Sequence, residues 1–306
     1  MEPGSFRSKA AYALQMASSK VAEIATGGVT SRAAHQHMRE IVALPEKLRT
    51  SLAEAIAFAY TKENPAPRVS LPKLDTLLAT VELDTFVAGA ALLDAGFNPA
   101  VLNMANEWAV GGVWCHARGS QEESLMRRSS LPLSLWPRRS ADDHRMRGFV
   151  ERAQPFFPMS EAGVVYSPRV LVLRSPDEVL LPEAERCNLS VLSVAAQDLR
   201  WRSGGNTTFD EALAEEKIRS MLYVASDRGH DAVVLGAFGC GAFGNDPVKV
   251  AALFAKVLST EFTGFRMALF AIVFSQKNLQ AFADHFPFLP GDSKEEIVSL
   301  IEEQAK

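Results

Sequence analysis

Two stretches of the sequence combine residues that can do chemistry with glycines that let a ligand come close. The first runs from 103 to 113 as Asn-Met-Ala-Asn-Glu-Trp-Ala-Val-Gly-Gly-Val and reaches Gln-Glu-Glu at 121–123. Because neighbouring residues of a helix point in different directions, one of Glu122 and Glu123 can hold a sugar hydroxyl while the other transfers a proton. A carboxyl group beside another carboxylate and a bound phosphate has a raised pKa, which suits a general acid. Taken alone, the Glu pair is also typical of a solvated helix start, where the helix dipole favours acidic residues.

The second stretch is a glycine loop over 235–245, with the sequence Leu-Gly-Ala-Phe-Gly-Cys-Gly-Ala-Phe-Gly-Asn. Its four glycines can adopt positive φ and turn N–H groups inward, and the helix predicted after it offers a partly positive N-terminus to an anion. Asn245 or Asp246 as cap and Pro247 in the first turn mark the start of that helix. The pattern therefore indicates a phosphate-binding loop, with an ordinary β–α turn as the alternative. It matches neither a P-loop nor a dinucleotide fingerprint, which disfavours a kinase or a dehydrogenase.

The elements that must position these motifs alternate between strand and helix. Apolar and β-branched runs predict strands, and helical periodicity predicts helices, with Gly96 ending the first helix after residue 76. This order predicts an α/β fold, with helices on both faces of a largely parallel sheet. The predicted strands are 100–104, 164–166, 170–173, 189–193, 232–235 and 267–274, and the predicted helices are 85–95, 209–226 and 248–258.

The first 75 residues differ from the rest in composition. Helix-forming residues fill 8–25 and 46–61, and Pro65, Pro67 and Pro72 follow them. We expect an N-terminal helical extension over 1–75 and a catalytic domain over 76–306. The first forty residues are rich in Ala, Ser and basic side chains, so a targeting or delivery segment is the alternative to a plain extension.

Composition narrows the classes of protein. The chain has 306 residues, 47% of them hydrophobic, and 32 basic against 36 acidic residues, which excludes a generally basic nucleic-acid coat protein. Its three cysteines form no C-x-x-C pair, and its six histidines show no metal spacing. The longest apolar run, 267–274, is far shorter than the roughly 20 residues of a membrane span. We expect a cytoplasmic monomer that binds neither DNA nor a membrane.

The two motifs resemble one known family. Asn-Met-Ala-Asn at 103–106, Gly111-Gly112 and Gln121-Glu122-Glu123 are similar to the Asn-Phe-Ala-Asn…Gly-Gly-Gly…Gln-Glu-Glu signature of poly(ADP-ribose) glycohydrolases of the bacterial, macrodomain type. The glycine loop is similar to the diphosphate loop of the same family. The resemblance covers roughly residues 80–285. It implies a macrodomain, which is a three-layer α/β/α fold with a mixed, largely parallel sheet.

The resemblance also implies an activity and the residues that carry it. The activity is hydrolysis of ADP-ribosyl glycosidic linkages, with no metal or cofactor and with ADP-ribose, poly(ADP-ribose) or ADP-ribosylated proteins as partners. Glu123 would be the catalytic acid and Glu122 its ribose-binding neighbour, supported by Gln121. Asn106 would contact the distal ribose, and Gly111 and Gly112 would let the backbone approach it. Val113 would be a further substrate-binding residue. The diphosphate would be wrapped by Gly239, Cys240, Gly241, Ala242 and Phe243, with the ring of Phe243 on the distal ribose.

Three residues depart from the family signature. Glu107 and Val110 stand where the family has prolines, and Val113 stands where it has a third glycine. Because a β-branched residue adopts positive φ poorly, we expect the loop to follow a different path. Two alternatives to polymer cleavage follow: a non-catalytic reader of ADP-ribose, and a hydrolase specialised for mono-ADP-ribosylated proteins.

Further features lie around the first motif. Trp108 and Trp114 flank the glycines and are more typical of core or lid packing than of a stacking platform. His116 is the histidine nearest to the motif. Seven arginines against three acidic residues over 127–152 predict either a local positive surface that attracts a phosphate-rich polymer or a solvated loop.

Overall fold

A seven-stranded sheet places the two motifs side by side, at the carboxyl ends of two neighbouring strands. The computed structural model describes residues 32–34, 36–41, 43–68, 76–115, 119–135, 156–200, 208–291 and 293–304. The strand order is β1-β4-β5-β3-β6-β7-β2, in which β5, β3, β6, β7 and β2 run parallel and β4 runs antiparallel to both of its neighbours. The strands are β1 Ile56–Phe58, β2 Leu77–Val81, β3 Pro99–Ala105, β4 Val164–Leu171, β5 Asn188–Ala195, β6 Ala232–Leu235 and β7 Met267–Ala271.

Helices cover both faces of this sheet. The helices with defined bounds are α1 Glu46–Leu52, α2 Thr85–Asp94, α3 Gln121–Arg128, α4 Leu131–Leu135, α5 Glu211–Asp227, α6 Pro247–Thr260, α7 Gln276–Ala283 and α8 Lys294–Gln304, and the backbone is also helical at 32–34 and 36–41. One apolar core lies between the sheet and α2, α3, α4 and α8, and a second lies between the sheet and α5, α6 and α7. The side chains of β3 alternate between the two cores, with Val101 in the first and Leu102 in the second. The predicted three-layer α/β/α fold is thereby confirmed.

Local sequence signals set the ends of the helices next to the motifs. The Asp84 carboxylate caps α2 by accepting the N–H groups of Phe86 and Val87, and Gly96, at φ +80°, follows its C-terminus. Asp246 caps α6 by accepting the N–H of Val248 at 3.0 Å. The stop predicted at Gly96 is therefore present, and of the two caps predicted for α6, Asn245 or Asp246, the structure has Asp246.

Three predicted elements have different bounds. The helix expected over 46–61 ends at Leu52, and Ile56–Phe58 form β1 instead, because their backbone pairs with β4. The strand expected over 267–274 ends at Ala271. The two strands expected near 164–173 are one strand, whose register shifts between Ser167 and Val170 around a proline that cannot donate to the ladder.

Other predictions about the N-terminal part remain open. The helix expected over 8–25 lies outside the described residues. The division at residue 75 stays a prediction, although β1 lies in the same sheet as the later strands. Across the described ranges, no helix is both long and apolar enough to cross a bilayer.

Arg127 and Arg128, the first two arginines of the stretch 127–152, are buried and do not contribute to a positive surface. Arg128 is 1% exposed and donates from both terminal nitrogens to the Asp84 carboxylate, at 2.7 and 2.9 Å. Arg127 is 4% exposed and donates to Glu178 at 2.8 Å. The surface interpretation is therefore wrong for these two residues, because each arginine is buried and paired with a carboxylate. The remaining arginines of the stretch lie outside the described residues.

The Arg128–Asp84 ion pair joins the start of α2 to the end of α3 and gives a stability prediction. Arg128→Ala should lower the free energy of unfolding by about 3–5 kcal/mol, because it leaves Asp84 mostly buried without its cation. Arg169→Ala is the control, since Arg169 and Glu54 are both about half exposed and such pairs contribute no more than about 1 kcal/mol. Urea unfolding checks both variants. A loss below 1 kcal/mol for Arg128→Ala would contradict this role.

Candidate active site

The first motif leaves the sheet at the carboxyl end of β3. Ala105 is the last residue of that strand, and Asn106 then turns the chain: its Oδ1 accepts the N–H groups of Trp108 at 2.8 Å and Ala109 at 3.0 Å. This closed turn begins the segment that we call the catalytic loop, residues 106–113. The catalytic loop ends at Val113, directly after the glycine pair.

Glu122 fixes both ends of this turn to α3. Its Oε2 accepts the N–H of Asn106 at 2.8 Å, and its Oε1 accepts the N–H of Gly111 at 3.1 Å. Asn103 approaches the same Oε1 with Nδ2 at 3.4 Å. The side chain is only 2% exposed. A single buried carboxylate therefore determines the path of the catalytic loop.

Glu123 lies beside it in the first turn of α3 and contacts the next part of the loop. Its Oε1 accepts the N–H of Val113 at 3.3 Å, and its Oε2 accepts the hydroxyl of Ser120. The side chain is 7% exposed. The interpretation of the Glu pair as a solvated helix start is thus wrong, because both side chains are buried under the loop.

The glycine pair is required by backbone angle and by space. Gly111 and Gly112 have φ of +69° and +56°. A Cβ on Gly112 would lie 2.6 Å from Oε1 of Glu123, and one on Gly111 would lie 2.5 Å from the Trp114 ring. Only glycine at these positions lets the loop pass this close to the two carboxyl groups.

Burial raises the pKa of both carboxyl groups. For Glu122, burial raises the pKa most, and the charge of Glu123 adds to it, while the N–H groups of Asn106 and Gly111 oppose the rise. For Glu123, burial again raises the pKa, and the N–H of Val113 and the charge of Arg127 oppose it. A carboxyl group in this state keeps its proton at a higher pH than an ordinary glutamate, as a general acid must.

Gln121 fastens the start of α3 to the end of β3. Its Oε1 accepts the N–H of Met104 at 2.8 Å, and its Nε2 donates to the carbonyl of Leu102 at 2.7 Å and to the Thr85 hydroxyl at 2.9 Å. The pairing of β3 with β6 ends at Val101, so this amide continues the hydrogen bonding where the neighbouring strand no longer does. The two glutamates are therefore held in place relative to the sheet.

The glycine loop follows the carboxyl end of β6, next to the carboxyl end of β3. It turns at Gly239 and Gly244, whose φ values are +75° and +73°. A Cβ on Gly239 would lie 2.6 Å from the Cβ of Ala196. Gly241 differs, because it has no positive φ and no atom within 4 Å of a Cβ added there. The turn thus depends on Gly239 and Gly244, while Gly241 and Ala242 face solvent.

Several N–H groups of the glycine loop have no acceptor among the described residues. The side chain of Asn245 closes the loop by donating to the carbonyls of Gly239 at 3.0 Å and Gln197 at 2.7 Å. Within the part of the chain that the structure describes, the backbone N–H groups of 241–243 make no hydrogen bond. Adjacent unpaired N–H groups ahead of a helix N-terminus form a binding site for an anion.

The segment after β5 connects the two loops. The N–H of Leu199 donates to the carbonyl of Phe243 at 2.9 Å, and the guanidinium of Arg200 lies 5.0 Å from the centre of the Phe243 ring. Arg200 also interacts through its charge with Glu123. The carboxyl ends of β3, β5 and β6 therefore border one crevice, the usual ligand position in open α/β sheets. Sequence reasoning missed Asp198 and Arg200, and the available signal was their position directly after a buried strand.

The departures from the family signature fit the loop. Among the described residues other than glycine, only Glu178 and Phe274 have positive φ. Val113 is therefore not strained by a positive φ, and the expectation that its β-branch diverts the loop from the family's path stays a prediction. Val110 is buried, and the carbonyl of Glu107 accepts the N–H of Met159 at 2.9 Å.

The remaining candidates near the loop divide between core and surface. Trp114 is 1% exposed, which confirms core packing, whereas Trp108 is 41% exposed on the catalytic loop and is not packed in the core. His116 lies outside the described residues. In the ranges that the structure covers, no three His, Cys, Asp or Glu side chains are grouped so that they could hold a metal ion.

Comparison with known proteins identifies the family of this chain. The family model described as microbial-type PARG, catalytic domain, matches residues 12–175, which include the first motif. The solved poly(ADP-ribose) glycohydrolase (PARG) of Thermomonospora curvata is 25% identical with a TM-score of 0.66, and the match covers 84% of this chain and 99% of that one. The same enzyme bound to the inhibitor ADP-HPD is 26% identical, with a TM-score of 0.66 and the same coverage.

A further solved relative supports the fold. The PARG of Deinococcus radiodurans in complex with ADP-ribose is 24% identical with a TM-score of 0.63, and the match covers 79% of this chain and 97% of that one. No curated protein matches the chain. Because the family model spans more than half of the sequence, the chain belongs to the microbial-type PARG catalytic domains, the glycosidases that act on poly(ADP-ribose).

Proposed function

We propose that this chain cleaves the glycosidic bond between ADP-ribose units, with Glu123 as the acid that protonates the departing ribose oxygen. The observation that carries the proposal is the burial of Glu123 in the first turn of α3, under a loop in which two glycines have positive φ. Polymer as the preferred substrate, a monomeric state and a cytoplasmic location are part of the same proposal.

The hydrogen bonds favour Glu123 over Glu122 as the proton donor. Both oxygens of Glu122 already accept backbone N–H groups, and neither bond can rotate away. Oε2 of Glu123 contacts the hydroxyl of Ser120, which can turn aside when substrate enters. Glu122 would still bind the ribose near the scissile bond, through lone pairs that the backbone does not use.

The reaction needs one proton donor and one water molecule. Glu123 gives its proton to the ribose oxygen as the bond to the anomeric carbon breaks, and an oxocarbenium-like ribosyl centre forms. The oxygen of water bonds to that carbon, and the proton it loses returns to the Glu123 carboxylate. The products are free ADP-ribose and a shortened polymer.

The glycine loop is the proposed site of the diphosphate. The unpaired N–H groups at 241–243 supply donors, and the N-terminus of α6 adds its partial positive charge. Phe243 would then contact the distal ribose. Asn106 would offer that ribose its Nδ2, because its Oδ1 is used within the catalytic loop. The ligands of the Thermomonospora and Deinococcus relatives, ADP-HPD and ADP-ribose, support this assignment.

The alternative is a non-catalytic reader, which would bind ADP-ribose without hydrolysing any linkage. Its basis was distortion at Val113, and the N–H of this residue instead reaches Oε1 of Glu123. Release of free ADP-ribose from labelled poly(ADP-ribose), compared with release from a labelled mono-ADP-ribosylated protein, tests the proposal. Release from the polymer supports it, release only from the modified protein changes the substrate class, and binding without release identifies a reader.

Removing the acid should separate binding from chemistry. Glu123→Gln should lower the rate of hydrolysis by about 10²–10⁴, because the amide keeps the size of the side chain but cannot donate a carboxylic proton. ADP-ribose affinity, measured by calorimetry, should stay within a few-fold. Glu183→Gln, in an exposed turn, is the control and should keep full activity. If Glu123→Gln stays within tenfold of the wild-type rate, another residue is the acid.

The raised pKa of Glu123 predicts how the reaction depends on pH. An acid works only while protonated, so kcat/KM should fall as pH rises through the pKa of Glu123. Because burial raises that pKa, the midpoint of the fall should lie above the ordinary value of 4.5. The pH profile of polymer cleavage, recorded with the wild type and with Glu123→Asp, measures it. A midpoint at or below 4.5, or one that is identical in both proteins, argues against the assignment.

A substitution at Gly241 tests the diphosphate site without straining the backbone. The turn itself does not need glycine at 241, so Gly241→Val should leave the melting temperature unchanged and abolish ADP-ribose binding by obstructing the phosphate. Gly239→Val should lose both binding and stability, because its Cβ would overlap Ala196. Calorimetry and thermal melting distinguish the two. Unchanged affinity in Gly241→Val would remove the diphosphate from this loop.

A further inference from the structure

Arg200 stands where the segment after β5 meets the crevice, and Asp198 fixes its orientation. Its Nε donates to Oδ1 of Asp198 at 2.7 Å, and a terminal nitrogen donates to Oδ2 of the same carboxylate. Two parallel hydrogen bonds between planar groups fix the plane of the guanidinium as well as its position. The side chain remains about one-third exposed, so it lies at the wall of the crevice and not in the core.

Phe243 is held at two points by this segment. Its carbonyl accepts the N–H of Leu199 at 2.9 Å, and its ring lies with its centre 5.0 Å from the Arg200 guanidinium. A cation at this distance from an aromatic face is attracted by the ring quadrupole. Backbone and ring of Phe243 are thus both attached to residues 198–200.

The guanidinium also interacts with the acid through its charge. The hydrogen bond to Asp198 raises the pKa of Arg200 most, and the charge of Glu123, in the first turn of α3, adds to that rise. No other described aromatic ring stacks on a guanidinium beside the glycine loop.

We propose that Arg200 is a positioning residue, which holds the Phe243 ring against the ribose whose glycosidic bond Glu123 cleaves. The inference rests on the proposed function, in which this ring contacts the distal ribose. A direct contact of Arg200 with the diphosphate is less consistent with the structure, because Asp198 already neutralises the guanidinium and the N–H groups of 241–243 supply donors.

A double-mutant cycle tests whether Arg200 acts through Phe243. Arg200→Ala and Phe243→Leu should each lower kcat on poly(ADP-ribose) by about tenfold or more, with KM changed less than about threefold, because a misplaced ribose loses alignment more than binding. The double variant should be no slower than Phe243→Leu alone. Arg200→Lys should restore part of the loss, since it keeps a cation over the ring without the paired hydrogen bonds.

Arg228→Ala is the matched control. Arg228 lies 5.0 Å from the centre of the Phe58 ring, between the end of α5 and the start of β6, whereas the glycine loop follows the other end of β6. Its loss should leave kcat unchanged. Additive effects of the two substitutions would overturn the proposal, as would a rise in KM and in the ADP-ribose Kd with kcat retained. An active wild type with an additive cycle rejects only the role of Arg200, whereas a wild type that releases no ADP-ribose rejects the proposed function as well.

Discussion

The carboxylate of Glu122 is the fixed point on which the crevice depends. It accepts one backbone N–H from each end of a turn, at Asn106 and Gly111, and it is almost completely buried while doing so. Burying a carboxyl group is costly unless its oxygens are hydrogen-bonded, and these two N–H groups would themselves be costly to bury unpaired. The carboxylate and the loop therefore stabilise each other, and the backbone of the loop needs two glycines to come so close.

The position of Glu123 follows from that of its neighbour. Successive residues in the first turn of a helix point in different directions, so fixing Glu122 under the loop directs Glu123 toward Val113 and the crevice. Gln121 and the Arg128–Asp84 pair attach the two ends of the same helix to β3 and α2. The acid thus belongs to a rigid element, which suits a reaction in which a small misplacement of the donor lowers the rate strongly.

The sequence predicted what depends on neighbouring residues and missed what depends on distant ones. Helical periodicity, caps and glycines gave the layers of the fold, and a glycine pair followed by adjacent carboxylates identified the first motif. β1 was missed because its strand character comes from pairing with β4, about a hundred residues later. The burial of Arg127 had no local signal, since a lone arginine has the same local sequence pattern on a surface as beside a carboxylate partner. Arg200 had only its position directly after a buried strand as a signal. The freedom of Val113 from positive φ likewise depends on the folded path.

A crystal structure of the Glu123→Gln variant with a short ADP-ribose oligomer bound would test the central claim most directly. We expect the amide of residue 123 within about 3 Å of the glycosidic oxygen, at hydrogen-bonding distance. We also expect the diphosphate on the backbone N–H groups of 241–243 and the distal ribose against Phe243. An oligomer whose glycosidic oxygen lies out of hydrogen-bonding reach of residue 123, with its diphosphate on another surface, would contradict the account.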